Sequence, residues 1–224
     1  MGSATGMARP EFAVGRDMWE RACAPSRTGL AVKRTLDLVI AGVGLVVAAP
    51  LGVLIAVAIR CASPGPVIFR QTRVGRRGKT FSMLKFRTMV DGAEKARHEL
   101  EARNESDGIF KLKDDPRLTE IGRLLRRCSL DELPQLVNVL RGEMSLVGPR
   151  PLVVSEDERV QGPHRARLLM RPGLTGPWQA IGPVRPPLRE MVVIDRLYVE
   201  NWSLWTDVRI LLQTLVHVAR MRGV

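Results

Sequence analysis

One apolar run sets the terms on which this chain can fold. Residues 36–59, LDLVIAGVGLVVAAPLGVLIAVAI, hold a single charge, Asp37. As one helix the run is about 36 Å long, against a hydrocarbon core of roughly 30 Å. It is longer than a signal-peptide core and starts too far into the chain to be one. Pro50 falls in its middle, where it removes a backbone hydrogen bond and bends the helix. The arms on either side, 36–49 and 50–59, are about 21 and 15 Å long, and neither alone crosses a bilayer. Residues 21–36 carry four basic side chains (Arg21, Arg27, Lys33, Arg34) and no acid. Residues 60–90 carry eight (Arg60, Arg70, Arg73, Arg76, Arg77, Lys79, Lys85, Arg87) and again no acid. Positive residues favour the cytoplasmic side. Basic flanks at both ends therefore favour a re-entrant helix–break–helix that enters and leaves by one face. An ordinary proline-kinked span is the competing reading.

The length of 224 residues fits one domain with appendages, and a hydrophobic content of 45% suffices for a core. The formal net charge of +12 points to polyanionic partners: nucleic acid, an anionic membrane or phosphorylated substrates. Aromatics at 4% argue against single-strand binding by base stacking, so nucleic acid is not expected as a partner. Cys23, Cys61 and Cys128 have no metal or redox spacing, and His98, His164 and His217 are scattered. A histidine-dependent zinc site is not expected.

Residues 1–32 lack apolar periodicity and read as a mobile arm. Beyond the apolar run, Pro64-Gly65-Pro66 marks a turn. PVIFRQTR and KTFSMLKFRTM flank VGRRG, which predicts two short strands around a basic turn. Residues 91–103 have the charges of an exposed helix. LTEIGRLLRR places Leu118, Ile121, Leu124 and Leu125 at helical intervals, and SLDELPQLVNVLRG follows as a second helix ending near Gly142. Residues 155–170 are a third helix candidate, and 203–221 an amphipathic fourth. Tyr198, Trp202 and Trp205 cluster near its start, at a membrane boundary or in the core.

Three segments could do chemistry. In Arg126-Arg127-Cys128-Ser129-Leu130-Asp131-Glu132-Leu133-Pro134, Ser129 and Glu132 fit a capping box. Pro134 would then be the fifth helical residue, where its ring meets the carbonyl of Leu130. With Asp131 as the cap instead, the helix start presents adjacent carboxylates beside two arginines, suited to a metal and a phosphate together. In Val147-Gly148-Pro149-Arg150-Pro151, two prolines fix the backbone around one guanidinium, as bidentate phosphate recognition requires. A structural loop with an exposed arginine reads the same way. Arg171-Pro172-Gly173-Leu174-Thr175-Gly176-Pro177-Trp178-Gln179 is a turn-rich loop that offers backbone donors.

KFRTM at 85–89, DPRLT at 115–119, RRCSLDELPQLVNVLRGEMSLVGPRP at 126–151, RPGLTG at 171–176 and DRLYVENWSLWTDVRILLQT at 195–214, after one basic-flanked membrane segment, resemble the monotopic phosphoglycosyl transferases, or bacterial sugar transferases. The resemblance runs from about Lys33 to Val224. It implies a polyprenyl-phosphate hexose-1-phosphate transferase on the cytoplasmic face of the bacterial inner membrane. Asp131 would attack the β-phosphorus of a nucleotide diphosphate sugar, with polyprenyl phosphate as acceptor. Asp131 and Glu132 would hold Mg²⁺. Lys85, Arg87, Arg126 and Arg150 would contact phosphate, and Asp195 matches a further acidic position. Ala49-Pro50 departs from the Ser-Pro common in small members of this family, and Gly182-Pro183 from a common Gly-Arg. The GLTG-x-WQ form looks like members that transfer glucose or galactose phosphate, and uridine diphosphate is the expected nucleotide.

The expected fold is mostly α with a small β-hairpin. A re-entrant membrane helix broken at Pro50 (33–62) and surface amphipathic helices would accompany a compact cytoplasmic catalytic domain (63–224), without a large further domain. A membrane-anchored basic module for polyanions and an inert scaffold for polysaccharide assembly are the competing functions. Neither gives Asp131 and Glu132 a role.

Overall fold

The computed structural model describes residues 26–93, 115–181 and 186–219. Ser26 opens helix α1 (Arg27–Ala62), its hydroxyl accepting the N–H of Gly29 at 3.0 Å. This cap starts the helix six residues before the expected boundary at Lys33. The helix then runs unbroken through Pro50. The two arms expected on either side of Pro50 are thus one helical element. A proline removes one ladder bond and presses on one carbonyl, and in a water-poor setting the remaining bonds keep the helix intact.

Strands β1 (Ile68–Val74) and β2 (Thr80–Phe86) form the expected antiparallel hairpin, in register from Ile68↔Phe86 to Val74↔Thr80. The turn between them is a short 3₁₀ segment, Arg76–Gly78, with Arg77 at φ 58°. Helix α2 (Glu120–Arg127) is capped by Thr119, whose hydroxyl accepts from Gly122 N. Helix α3 (Gln135–Arg141) ends at Gly142 in the left-handed region, as its sequence required.

The segment between α2 and α3 departs from both capping expectations. Ser129 itself lies in the left-handed region, at φ 56°, and its side chain caps nothing. Leu130–Glu132 form a separate 3₁₀ turn, and regular helix begins only after Pro134. Pro134 decides this, because it is tolerated at a helix start and not inside. The helix expected over 155–170 is likewise divided, into α4 (Val154–Asp157) and a 3₁₀ segment, Gly162–Leu169. Gly162 at φ 60° and Pro163, which lacks an N–H, separate the 3₁₀ segment from α4, which has already ended at Asp157. Residues 94–103 of the expected exposed helix, the arm through residue 25, and Gly182–Arg185 lie outside the described residues.

Strands β3 (Ser145–Val147) and β4 (Gly173–Thr175) pair in parallel. Gly148 and Gly173 allow their close approach: a methyl on Gly148 would lie 2.3 Å from the carbonyl oxygen of Arg171. Helices α5 (Pro177–Ile181), α6 (Leu188–Glu200) and α7 (Leu204–Ala219) complete the body. Tyr198 and Trp202 turn inward to the carboxylate of Asp207, at 2.6 and 3.2 Å, whereas Trp205 is exposed. The aromatic cluster therefore divides between core and surface.

The largest core joins Met83, Val139, Met144, Leu146, Val147, Met170 and Val199. Asn138, with no exposed surface, stitches α3 to β2. Its Oδ1 accepts from Leu84 N at 3.0 Å, and its Nδ2 donates to Ser82 O at 2.8 Å. Helix α1 packs on this body along its length. Leu30, Ala41 and Leu45 join the main core, Gly44 faces Leu136, and Ile55 and Ile59 pack with Phe86 and Leu125. Its other face is bare, with Val46 at 75%, Val47 at 74% and Leu54 at 67% exposed. Burying such a side chain is worth about 1.5–3 kcal/mol. A row of them left in water would rival the about 5–15 kcal/mol that holds a domain together. Helix α1 is long and apolar enough to cross a membrane, and its bare face is that of a membrane-associated chain.

The close approach of β3 and β4 is testable. Gly148→Ala is expected to force a backbone shift costing about 1–3 kcal/mol and to lower Tm by several degrees. Gly42→Ala, whose added methyl meets nothing within 4 Å, serves as control and should leave Tm within a degree or raise it. Equal thermal shifts for the two variants in detergent would contradict the packing described.

Candidate active site

The end of strand β2 and the two residues beyond it serve three tasks. Lys85 Nζ sits 2.6 Å from Glu132 Oε1 and 3.8 Å from Asp131 Oδ2. Thr88 Oγ1, just beyond the strand, accepts from Arg126 Nε at 3.0 Å. Arg87 turns away from this cluster. Its Nη1 donates to Pro64 O at 2.6 Å, and its Nη2 to Ser63 O at 2.7 Å. It closes the C-terminal end of α1, where carbonyls lack helical partners.

Asp131 is buried, at 6% exposure, in the 3₁₀ turn that Pro134 sets apart from α3. Burial pushes its carboxyl above the usual carboxylate range, the charge of Lys85 opposes that rise, Glu132 adds to it and Arg126 opposes it. An oxyanion with little water and two cations nearby is what nucleophilic attack on phosphorus needs.

Glu132 and Lys85 line a shallow cavity with Arg73, Gln135, Arg150 and Gln179. Asp131 flanks this cavity through Lys85. The guanidinium of Arg150 lies over the ring of Trp178, 5.4 Å from its centre, a cation–π contact that orients it. The structure thus brings together Lys85, Arg126, Asp131, Glu132 and Arg150, and leaves Arg87 at the helix exit.

Asp195 lies behind the cluster, with no exposed surface. Its Oδ2 accepts from Nε and Nη2 of Arg167, both at 3.3 Å, while Oδ1 has no hydrogen-bond partner. Arg167 Nη2 also donates to the carbonyl of Arg150. On the other side of the loop, Arg73 Nη1 donates to Pro151 O at 3.0 Å. Asp195 therefore supports the arginine loop from behind. Arg167 and Arg73 are the residues that sequence reasoning missed. Neither carries a local signal beyond its charge, since each meets its partner across long sequence separations. In the DPRLT segment, Asp115 and Arg117 pair at 2.6 Å and shape the turn into α2.

Asp131 and Glu132 are the only acids of this cluster, and no group of three or more His, Cys, Asp or Glu able to hold a metal occurs among the described residues. Two carboxylates still suit Mg²⁺, which commonly takes one or two from protein and completes its shell with water and substrate phosphate.

Residues 28–221 match the family model for bacterial sugar transferases, and the chain belongs to that family. It is 44% identical over 202 residues to an undecaprenyl-phosphate galactose phosphotransferase of Salmonella typhimurium, a match covering 88% of this chain and 42% of that protein. A UDP-glucose:undecaprenyl-phosphate glucose-1-phosphate transferase of Caulobacter vibrioides is 42% identical over 194 residues, covering 82% and 68% of the two chains. The exopolysaccharide production protein ExoY of Rhizobium meliloti is 41% identical over 196 residues, covering 85% and 87%. The chain spans about two fifths of the length of the Salmonella protein and of relatives from Streptococcus agalactiae and Erwinia amylovora.

Burial lifts the Asp195 carboxyl to about 6, opposed by the charge of Arg167. A carboxyl in an unfolded chain ionises near 3.9. Between roughly pH 4 and 6 the unfolded chain releases this proton while the folded chain keeps it, so this group weakens the fold as pH rises. Asp195→Asn, which cannot ionise, is expected to gain Tm relative to the parent across that window and to hold the gain above it. A difference in Tm that is flat from pH 4.5 to 7.5 would contradict the assigned ionisation.

Proposed function

We propose that this chain transfers a sugar-1-phosphate from a nucleotide diphosphate sugar to polyprenyl phosphate, with Asp131 as the nucleophile. The single observation that carries this reading is the buried carboxylate of Asp131 held beside Lys85, with Glu132 and Arg150 lining the adjoining cavity. An Oδ atom of Asp131 attacks the β-phosphorus, and the bond from that phosphorus to the oxygen of the nucleoside monophosphate breaks. An oxygen of polyprenyl phosphate then attacks the aspartyl phosphosugar, releasing the carboxylate and leaving a polyprenyl diphosphosugar. Two transfers through one small site avoid holding both large substrates at once.

Attack by an anion on a diphosphate needs its repulsion cancelled. Lys85 holds positive charge at the two acids, and Arg126 faces Asp131. Arg150, fixed by Trp178 and by the support of its loop, offers a fork to the phosphates. Mg²⁺, held by Asp131 and Glu132, would supply further charge neutralisation at the diphosphate. Gln179 lines the cavity with a buried Oε1 that has no hydrogen-bond partner, an acceptor suited to a sugar hydroxyl. Relatives named for UDP-glucose and UDP-galactose support a UDP-hexose donor, and their undecaprenyl-phosphate acceptor supports the lipid. Names tied to exopolysaccharide production support a place at the start of glycan assembly.

The membrane reading is re-entrant, on the cytoplasmic face of the bacterial inner membrane. Its support is that both ends of α1 dock on one body. Arg34 donates to the carbonyls of Val139 and Leu140 near the start, and Ser63 and Pro64 are held by Arg87 at the exit. A spanning helix would carry one end away to the far side. Tags at residues 5 and 110 are both expected to report the cytoplasm, and tags on opposite sides would rule out re-entrance.

With UDP-hexose and polyprenyl phosphate, Asp131→Asn is expected to cut release of nucleoside monophosphate by about 10³-fold or more. Chelation of divalent metal should stop the parent enzyme, and added Mg²⁺ should restore it. Full transfer by the purified Asn variant would exclude Asp131 as nucleophile.

A further inference from the structure

Two charges on the buried face of α1, Lys33 and Asp37, take no part in the transfer described above. Both are buried, at 6% and 4% exposure. One helical turn separates them, so they share a face. Lys33 Nζ donates to Val147 O at 2.9 Å and lies 2.5 Å from Asp207 Oδ2. Asp37 Oδ1 accepts the N–H of Leu146 at 3.0 Å. The helix thus grips a donor and an acceptor of consecutive residues in β3, which among the described residues pairs with β4 alone. Asp207 is itself held by Tyr198 and Trp202, so the grip on β3 is tied to α6 and α7 as well.

The chain leaves β3 directly into Gly148-Pro149-Arg150, a stretch stiffened by proline. Arg167 and Arg73 fix the far side of that loop through the carbonyls of Arg150 and Pro151. Lys33 and Asp37 fix its near side. For insertion alone Asp37 is unfavourable, since a carboxylate disfavours an apolar membrane segment where leucine favours it. Orientation in the membrane accounts for the charge of Lys33, and for neither Asp37 nor the burial of both side chains against β3.

The geometry points to Lys33 and Asp37 as positioning residues for Arg150. On this account α1 is a structural part of the phosphate site as well as the membrane anchor. The inference rests on Arg150 contacting substrate phosphate, as proposed above.

The test uses the full chain in detergent with saturating polyprenyl phosphate, and follows nucleoside monophosphate release against UDP-hexose concentration. Asp37→Leu, better suited to a membrane than the parent, is expected to lower kcat/KM for the donor about tenfold or more, with unchanged recovery in the membrane fraction. Asp37→Asn keeps an oxygen for the Leu146 N–H and should stay within about threefold of the parent. Where Asp37→Leu fails to accumulate, Lys33→Met removes the grip on Val147 O and should show the same loss. In an Arg150→Ala background, Asp37→Leu should add less than about twofold, because residues acting through one group are not additive. Wild-type kinetics for Asp37→Leu, or losses that multiply in the double variant, would overturn the inference. A kinetic defect in Arg150→Ala beside a silent Asp37→Leu would sink the clamp alone. A silent Arg150→Ala would remove the phosphate assignment and the clamp together.

Discussion

Burying a carboxylate is unfavourable unless positive charge accompanies it, and much of this fold serves that constraint at Asp131. The 3₁₀ turn set off by Pro134 delivers Asp131 and Glu132 as neighbours rather than as members of a helix. Strand β2 delivers Lys85 against both. Asn138 in turn fixes β2 against α3, so the relative placement of acid and ammonium depends on an amide with no exposed surface. Removing Lys85 would leave buried carboxylate charge without its counterpart, which is costlier than never burying the pair.

A second constraint is depth. A polyprenyl phosphate keeps its reacting group at the membrane surface, so its enzyme must hold a nucleophile there. On the proposed function helix α1 would do this by lying along the body, where Gly44 meets Leu136 and Gly52 meets Phe86. Small residues on the inner face and valines and leucines on the outer one make the helix part of two environments at once. Its polar contacts reach the same strand that leads to Arg150.

Much of this was legible in the sequence, for identifiable reasons. The apolar run, the hairpin around Gly-Arg-Arg-Gly and the stop at Gly142 are local signals, and local signals survive into structure. Asp131, Glu132, Arg126 and Arg150 stand in segments marked by prolines or paired charges, Lys85 came only through the family resemblance of KFRTM, and the fold sets the five near one another. Long-range pairings were silent. Strands β3 and β4 have three residues each and meet across more than twenty, so no periodicity marks them. Arg73 counted only among the basic residues flanking the apolar run and Arg167 drew no reading, and the fold places both behind the loop of Arg150. Arg87 gave the opposite error in emphasis: a basic residue beside Lys85 whose guanidinium closes the end of α1. The fate of Ser129 was hidden because capping boxes and left-handed turns draw on the same residue types.

The central claim is a covalent one, and it can be tested without measuring turnover. The purified chain, incubated with UDP-hexose and Mg²⁺ but no polyprenyl phosphate, would be acid-quenched and measured by intact-protein and peptide mass spectrometry. The account expects a gain of one hexose phosphate, mapped to the peptide bearing Asp131 and lost on later addition of polyprenyl phosphate. An enzyme that turns over fully yet carries no adduct under these conditions, or carries it on another side chain, would contradict the account.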